Sequence, residues 1–178
     1  MHAVAELATL DLPQPAAATR ALPASFVVLG ICNPLLGDDG AGVQVVRQLR
    51  AARRPIPRVR LLDGGIPSVS LLETVENTPA LIVVNTAHLQ EPPGTVRVLQ
   101  QGEMDEFLRD RTRSGVHELS LAELLDRARL TGRLPAWRAF VGIQPEHVAA
   151  GTELSPAVSA GLKTACIHVR ALIARWSI

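Results

Sequence analysis

Short apolar runs alternate with amphipathic stretches along most of the chain. The apolar runs predict five strands, at residues 25–31, 59–62, 80–84, 95–99 and 139–143. The amphipathic stretches predict five helices, at residues 39–52, 68–76, 103–109, 119–130 and 156–175. A strand–helix alternation of this kind is typical of β-α-β units on a mostly parallel sheet. The expected fold class is therefore α/β.

Two of the predicted strands differ in their pattern. Residues 80–84 form an unbroken apolar run, which indicates a strand that is buried on both faces. Residues 95–99 alternate in polarity, which favours an edge strand and is compatible with an antiparallel direction. Residues 1–24 are rich in Ala and Pro, and we interpret them as a flexible leader. We expect residues 25–178 to form a single domain, because their number suits one hydrophobic core.

Composition and charge argue against several classes of function. The formal net charge is +1, and the arginines are scattered among acidic residues, so we expect no broad electrostatic contact with nucleic acid or an anionic membrane. No apolar run approaches the ~20 residues that a membrane-spanning helix needs. Cys32 and Cys166 lie far apart in the sequence and suggest neither a disulfide framework nor a zinc motif, which favours a reducing cytoplasm.

The segment from Gly30 to Gly42 is rich in glycine and joins the first predicted strand to the first predicted helix. Open α/β sheets form their ligand crevices at such strand ends. Asp38 and Asp39 stand at the helix start, where acids can simply cap a helix, and Asp38 is the better N-cap candidate. Partly desolvated carboxylates also suit a cation. A nucleotide or phosphate site is less favoured, because the GxGxxG and Gly-Lys-Ser/Thr motifs are absent and two aspartates would repel a pyrophosphate.

Further candidate ligands lie beside two later elements. Asn85 and His88 follow the third predicted strand, and His117 closes a predicted loop at residues 114–117. An amide oxygen and one or two imidazoles could converge with the Asp39 carboxylate on a divalent metal such as nickel or zinc. Each histidine taken singly is equally compatible with a polar residue at the surface or at the edge of the core.

A hydrolytic reaction could use a serine or a cysteine as the nucleophile. A serine nucleophile is not indicated, because the chain has no GxSxG motif. Cys32 stands at a junction between a strand and a helix, where a lowered thiol pKa would let it act with His117. The cysteine hypothesis therefore stays open at the level of the sequence.

Taken together, these motifs resemble the signatures of the [NiFe]-hydrogenase maturation endopeptidases. The segment from Gly30 to Gly42 is similar to that family's Gly-x-Gly-Asn-x-Leu-x-x-Asp-(Asp/Glu)-Gly-x-Gly signature after a strand. Further segments follow in family order: Leu62 to Gly65, Pro93 to Val96, His117 to Leu121, Leu130 to Gly132, and Gly142 to Glu146. The resemblance covers most of the chain.

The resemblance implies a fold, an activity and a partner. The fold would be a three-layer α/β/α sandwich around a mostly parallel, twisted five-stranded sheet. The activity would be that of an endopeptidase that removes the C-terminal extension of a [NiFe]-hydrogenase large-subunit precursor after nickel insertion and recognises the substrate-bound nickel. Asp39, Asn85 and His117 fall on the three positions that line the family's nickel-recognition cleft. We expect a cytoplasmic monomer that holds no tightly bound metal of its own, although a surrogate divalent ion could enter the cleft.

Two positions depart from the family pattern. Asn85 stands where the family has Asp, and a neutral amide is a weaker ligand than a carboxylate and cannot act as a general base. His88, three residues further on, could substitute for it. Cys32 takes the place of a glycine. The alternative function is therefore a proteolytically impaired family member that binds the precursor as an assembly factor.

Overall fold

The computed structural model describes residues 25–110 and 116–177. Within them lies a five-stranded sheet with the strand order β2-β1-β3-β5-β4. The strands are β1 (Phe26–Ile31), β2 (Val59–Gly65), β3 (Ala80–Thr86), β4 (Val96–Gln100) and β5 (Trp137–Ile143). Neighbouring strands are parallel except β4, which runs antiparallel to β5 at the edge of the sheet. The α/β fold class and the edge position of residues 95–99 are both confirmed.

Helices cover both faces of the sheet. In the described part of the chain they are α1 (Ala41–Ala51), α2 (Leu72–Glu76), α3 (Gly102–Arg109), α4 (Val116–Leu130) and α5 (Pro156–Trp176). One hydrophobic core packs α1 and α5 against one face, with Val84 and Leu172 among its buried residues. The other packs α2, α3 and α4 against the opposite face, with Val83 and Leu121 among its buried residues. The three-layer α/β/α sandwich is therefore confirmed.

The start of α5 follows from its sequence. The Ser155 hydroxyl oxygen accepts a hydrogen bond from the backbone N–H of Val158 at 3.3 Å, and Pro156 occupies the first turn, as expected for an N-cap followed by proline. By length and composition alone α5 could cross a membrane, contrary to the expectation from unbroken apolar runs. Its buried side chains, however, pack in the hydrophobic core that α1 and α5 form together against one face of the sheet. This is the ordinary position of a core helix in this fold.

The starts of two helices, the one after β1 and the one after β2, were predicted too early. The helix predicted at residues 39–52 begins as an α-helix only at Ala41, because a 3₁₀ turn at Gly37–Gly40 precedes it. The helix predicted at residues 68–76 likewise opens with a 3₁₀ turn, at Val69–Leu71. Asp39 therefore lies in a tight turn before α1 instead of in its first helical turn.

Two further boundaries are wrong where the candidate site is concerned. The strand predicted at residues 80–84 continues to Thr86, so Asn85 belongs to the sheet and not to the loop after it. The loop predicted at residues 114–117 ends too late, because α4 begins at Val116. His117 is consequently held by helical backbone.

Some predictions concern residues without a described position. The flexible leader was predicted for residues 1–24, which lie outside the described residues, as do residues 114 and 115 of the predicted loop. The assignment of residues 25–178 to a single domain stays a prediction.

Two glycines bring α1 against the ends of the central strands. A Cβ atom on Gly42 would collide with the carbonyl oxygens of Ile31 and Val84, and a Cβ atom on Gly30 would collide with the carbonyl oxygen of Gly42. Any side chain at either position would push the helix away from the sheet. The glycines thus hold the turn that carries Asp39 directly over the carboxyl ends of β1 and β3.

Candidate active site

The candidate residues meet at one edge of the sheet. Asp39 lies in the turn after β1, Asn85 is the last residue but one of β3, and His117 lies in the first turn of α4. Strands β1 and β3 are neighbours, and β2 lies on the other side of β1. The strand order reverses between β1 and β3, which is where open α/β sheets form their ligand crevices. All three residues thus belong to elements that meet at this edge of the sheet, and their role as site residues stays a prediction.

Asp39 and His117 face each other across this crevice. Nδ1 of His117 lies 3.7 Å from Oδ2 of Asp39, and the two side chains are 15% and 14% exposed. The distance is longer than a hydrogen bond. With metal–ligand bonds of about 2.1 Å, two ligand atoms of a tetrahedral site lie roughly 3.4 Å apart. The pair is therefore spaced to contact one metal ion together.

Packing directs His117 toward the crevice. Residues four apart on a helix share a face, so His117 lies above Leu121, and Leu125 continues the same row. Leu121 and Leu125 are both buried in the core between α4 and the sheet. The apolar face of α4 thus turns the imidazole inward, at the end of the helix that reaches the crevice.

Hydrogen bonds hold both carboxylate oxygens of Asp39. The backbone N–H of Asn33 donates to Oδ2 at 2.8 Å. The hydroxyl of Thr86 donates to Oδ1 at 3.0 Å. An ionised carboxylate only accepts hydrogen bonds, so the direction of both bonds is settled. The carboxylate is therefore oriented before any ligand arrives.

The Asn85 side chain lies on the face of β3 that α4 covers, opposite to the face that α1 covers. Successive side chains of a strand point to opposite faces, and Leu81 and Val83 of the same strand lie in the core beneath α4. Asn85 therefore shares the α4 side of the sheet. Its side chain is buried, with 1% exposure, and its backbone pairs with Gly142 of β5. Asn85 is thus held in the sheet next to Thr86 and not on the loop after β3.

His88, the suggested substitute for Asn85, and Cys32, the candidate nucleophile, differ from the main candidates. His88 is exposed on the loop after β3, and the structure does not join it to Asp39 and His117 in a metal-binding cluster. Cys32 is buried, and burial above all, with smaller contributions from Asp63 and Asp39, raises its pKa to about 11. A thiol with so high a pKa stays protonated at neutral pH, which argues against the cysteine nucleophile.

Asp38 has a structural role that differs from the predicted N-cap. Its carboxylate accepts hydrogen bonds from the backbone N–H groups of Glu146 (2.9 Å), His147 (3.2 Å) and Ser155 (2.6 Å), and from the Ser155 hydroxyl (2.9 Å). Burial raises the pKa of Asp38, but these donors together lower it more, so the pKa lies below its ordinary value. Asp38 therefore ties the first loop to the loop between β5 and α5.

The same two loops are also joined through their backbones. The N–H of Gly37 donates to the carbonyl oxygen of Gly151 at 2.8 Å, and the N–H of Gly151 donates to the carbonyl oxygen of Leu35 at 2.9 Å. Near the end of β2, the Asp63 carboxylate accepts from the N–H of Gly65 at 3.3 Å. The contacts of Asp38, Gly37 and Gly151 hold the loop after β1 against the loop between β5 and α5.

The donor set limits what the site can bind unaided. Among residues 25–110 and 116–177, no group of three or more His, Cys, Asp or Glu side chains could hold a metal ion. Asp39 and His117 provide two such ligands, and a neutral Asn85 amide would be a weak third.

Sequence reasoning missed two residues that shape the site. Asn33 and Thr86 orient Asp39, but neither was singled out. The signal for Asn33 is its place in the glycine-rich segment. Thr86 adjoins Asn85, yet its contact with Asp39 spans 47 positions and depends on how β1 and β3 align.

Comparison with known proteins gives a consistent result. A sequence model described as hydrogenase maturation protease matches residues 43–171, a stretch that includes Asn85 and His117. The hydrogenase expression/formation protein HoxM of Cupriavidus necator is 30% identical over 151 residues, covering 84% of this chain and 74% of the relative. The hydrogenase 2 maturation protease of Escherichia coli is 31% identical over 149 residues, covering 83% of this chain and 90% of the relative.

The structural comparison agrees with the sequence comparison. The hydrogenase maturating endopeptidase HybD from E. coli superposes with a TM-score of 0.79 at 30% identity, covering 85% of this chain and 93% of that protein. Sequence and fold thus lead to the same group of proteins. The chain belongs to the hydrogenase maturation protease family.

Proposed function

We propose that this protein is an endopeptidase that removes the C-terminal extension of a [NiFe]-hydrogenase large-subunit precursor after nickel insertion, and that it recognises the nickel held by the precursor. The observation that carries the proposal is the pair formed by Asp39 and His117, 3.7 Å apart at the reversal of the strand order in a chain of the maturation protease family. We expect it to act in the cytoplasm as a monomer.

The donor chemistry supports recognition of a metal ion that belongs to the substrate. A carboxylate and an imidazole are suitable ligands for nickel, but two of them with a neutral amide would hold a free ion only weakly. Nickel already bound by the precursor would offer its remaining positions to Asp39 and His117. As a Lewis acid it would then polarise the scissile carbonyl or a bound water molecule. No tightly bound metal of the protease's own is required, and a free divalent ion would act as a competitor.

The surroundings of the crevice support a polypeptide substrate. Four large apolar side chains, between 47% and 66% exposed, lie on loops that follow β1, β2 and β5: Leu35, Ile66, Val69 and Val148. Strands β1, β2 and β5 are parallel, so these side chains follow the same edge of the sheet as Asp39, and exposed apolar side chains there favour contact with another protein. A nucleotide or phosphate ligand is disfavoured, because the helix start nearest the crevice carries the Asp39 carboxylate instead of anion-binding glycines and lysine.

The proposal is tested by a cleavage assay on nickel-loaded and nickel-free large-subunit precursor, with intact mass as the measurement. We expect a C-terminal peptide to be lost only from the nickel-loaded precursor, because only that form offers an ion to Asp39 and His117. Cleavage of both forms at equal rates would contradict nickel recognition. Stable binding of the precursor without any cleavage would favour the alternative function of an assembly factor.

Asn85 provides the test between protease and assembly factor. We expect Asn85→Asp to change the cleavage rate by less than about threefold, because the buried amide orients the substrate while Asp39 and His117 contact the nickel. If the family's carboxylate were needed as an acid–base group, the variant would instead be faster by about 100-fold or more. The melting temperature of the variant serves as the control for stability, because a buried charged carboxylate is costlier to desolvate than a neutral amide.

A further inference from the structure

Thr86 is the side chain that connects the end of β3 with the turn carrying Asp39. It is the last residue of β3 and is buried. Its hydroxyl donates to Oδ1 of Asp39 at 3.0 Å, from a position 47 residues further along the chain. Neither the family signature nor the sequence pattern had assigned a role to this residue.

The two carboxylate oxygens of Asp39 have different neighbours. Oδ2 accepts from the N–H of Asn33 and lies 3.7 Å from Nδ1 of His117. Oδ1 accepts from the Thr86 hydroxyl. A carboxylate held at both oxygens cannot rotate about its Cβ–Cγ bond without breaking one of these contacts. The Thr86 hydroxyl thus keeps Oδ2 as the oxygen that faces His117.

We propose that Thr86 is a positioning residue of the active site, which acts on the substrate through Asp39 and does not touch the nickel itself. This inference rests on the proposed endopeptidase function. Successive residues of β3 point to opposite faces, so Thr86 serves the side of the crevice that carries Asp39, while Asn85 serves the side that carries α4. The end of β3 thereby contributes one side chain to each side of the site.

The test compares two variants that differ by the hydroxyl. Thr86→Val keeps the branched shape and loses the hydroxyl, and Thr86→Ser keeps the hydroxyl. We expect Thr86→Val to lower kcat/KM on nickel-loaded precursor by about tenfold, the effect of losing one hydrogen bond to a charged group. Thr86→Ser should restore the rate to within about threefold of wild type. If both variants were equally slow, packing and not the hydroxyl would explain the loss, and the proposal would be wrong.

Two further measurements separate this inference from the proposed function. In an Asp39→Asn background, binding of nickel-loaded precursor should not weaken further when Thr86→Val is added, because Thr86 acts through the carboxylate. Crystal structures of Thr86→Val and Thr86→Ser should show a rotated Asp39 carboxylate in the first variant only. An unrotated carboxylate in Thr86→Val would overturn the positioning role, even if wild-type cleavage were demonstrated. If the wild-type protein failed to cleave, the structures would still decide whether Thr86 orients Asp39.

Discussion

Replacement of His117 by glutamine is expected to lower kcat/KM for cleavage of the nickel-loaded precursor by about 100-fold or more. Glutamine keeps a polar side chain of similar length but lacks the imidazole nitrogen that faces Asp39 at 3.7 Å. Loss of one metal contact or acid–base group at a catalytic centre costs about 100- to 10,000-fold. The rate of peptide release, followed by intact mass at several precursor concentrations, measures the effect.

The control for this variant is the same substitution at another histidine. His147 is exposed on the loop between β5 and α5, and we expect His147→Gln to stay within about threefold of the wild-type rate. Both variants should melt at the wild-type temperature, because His117 lies at a helix start and His147 at the surface. A wild-type cleavage rate in His117→Gln would remove His117 from the site and make His88→Gln the next variant to measure.

The sheet could be predicted from the sequence because its central strands are buried on both faces. Residues 80–84 carry an unbroken apolar run, and β3 is fully buried in the structure. Residues 95–99 alternate in polarity, and β4 is indeed the antiparallel edge strand. These patterns are local, because burial of a strand face constrains each residue directly. The two covering layers followed from the family resemblance, whereas the strand order was not predicted.

The details of the first loop could not be predicted, because their causes lie far away in the sequence. Asp38 was expected to cap the helix after it, yet its carboxylate binds N–H groups more than 100 positions further on. Asp39 and His117 were placed at one site by their positions beside predicted strand and helix ends and by the family resemblance. The contact of Thr86 with Asp39 depends on the register of β1 against β3, which no local pattern specifies. Sequence reasoning therefore located the site but not the contacts that orient it.

Replacement of Asp38 by asparagine is the second change with a large expected effect, and it acts on stability. Four hydrogen bonds end on this buried carboxylate. An asparagine offers one acceptor oxygen and turns an NH₂ donor toward the remaining N–H groups. We expect the free energy of unfolding to fall by about 3 kcal/mol or more, since buried donors left without partners cost about 1–3 kcal/mol each. Urea titration followed by the fluorescence of the buried Trp176 measures this change.

The matched control is Asp63→Asn at a more exposed carboxylate. The Asp63 side chain is 42% exposed and lies 3.7 Å from the Arg47 guanidinium. An exposed ion pair of this kind contributes under about 1 kcal/mol. Asp38→Asn should lower the melting temperature by roughly 6–12 °C, given about 2–4 °C per kcal/mol for a chain of this size, and Asp63→Asn by far less. Equal effects of the two variants would show that the contacts of Asp38 do not hold the loops together.

The pH dependence of the difference between wild type and Asp38→Asn identifies the charged carboxylate as the cause. The donors lower the pKa of Asp38 below its ordinary value of 3.8 in the folded state. The charged form is therefore favoured by folding, and its stabilisation is fully present above pH 3.8 and is lost as the pH falls through the lowered pKa. The advantage of wild type should consequently stay constant from pH 7 to about pH 5 and shrink at more acidic pH. An advantage that persists unchanged to strongly acidic pH would instead assign the loss in Asp38→Asn to the shape of the side chain, because protonation removes the charge of Asp38 but leaves its shape.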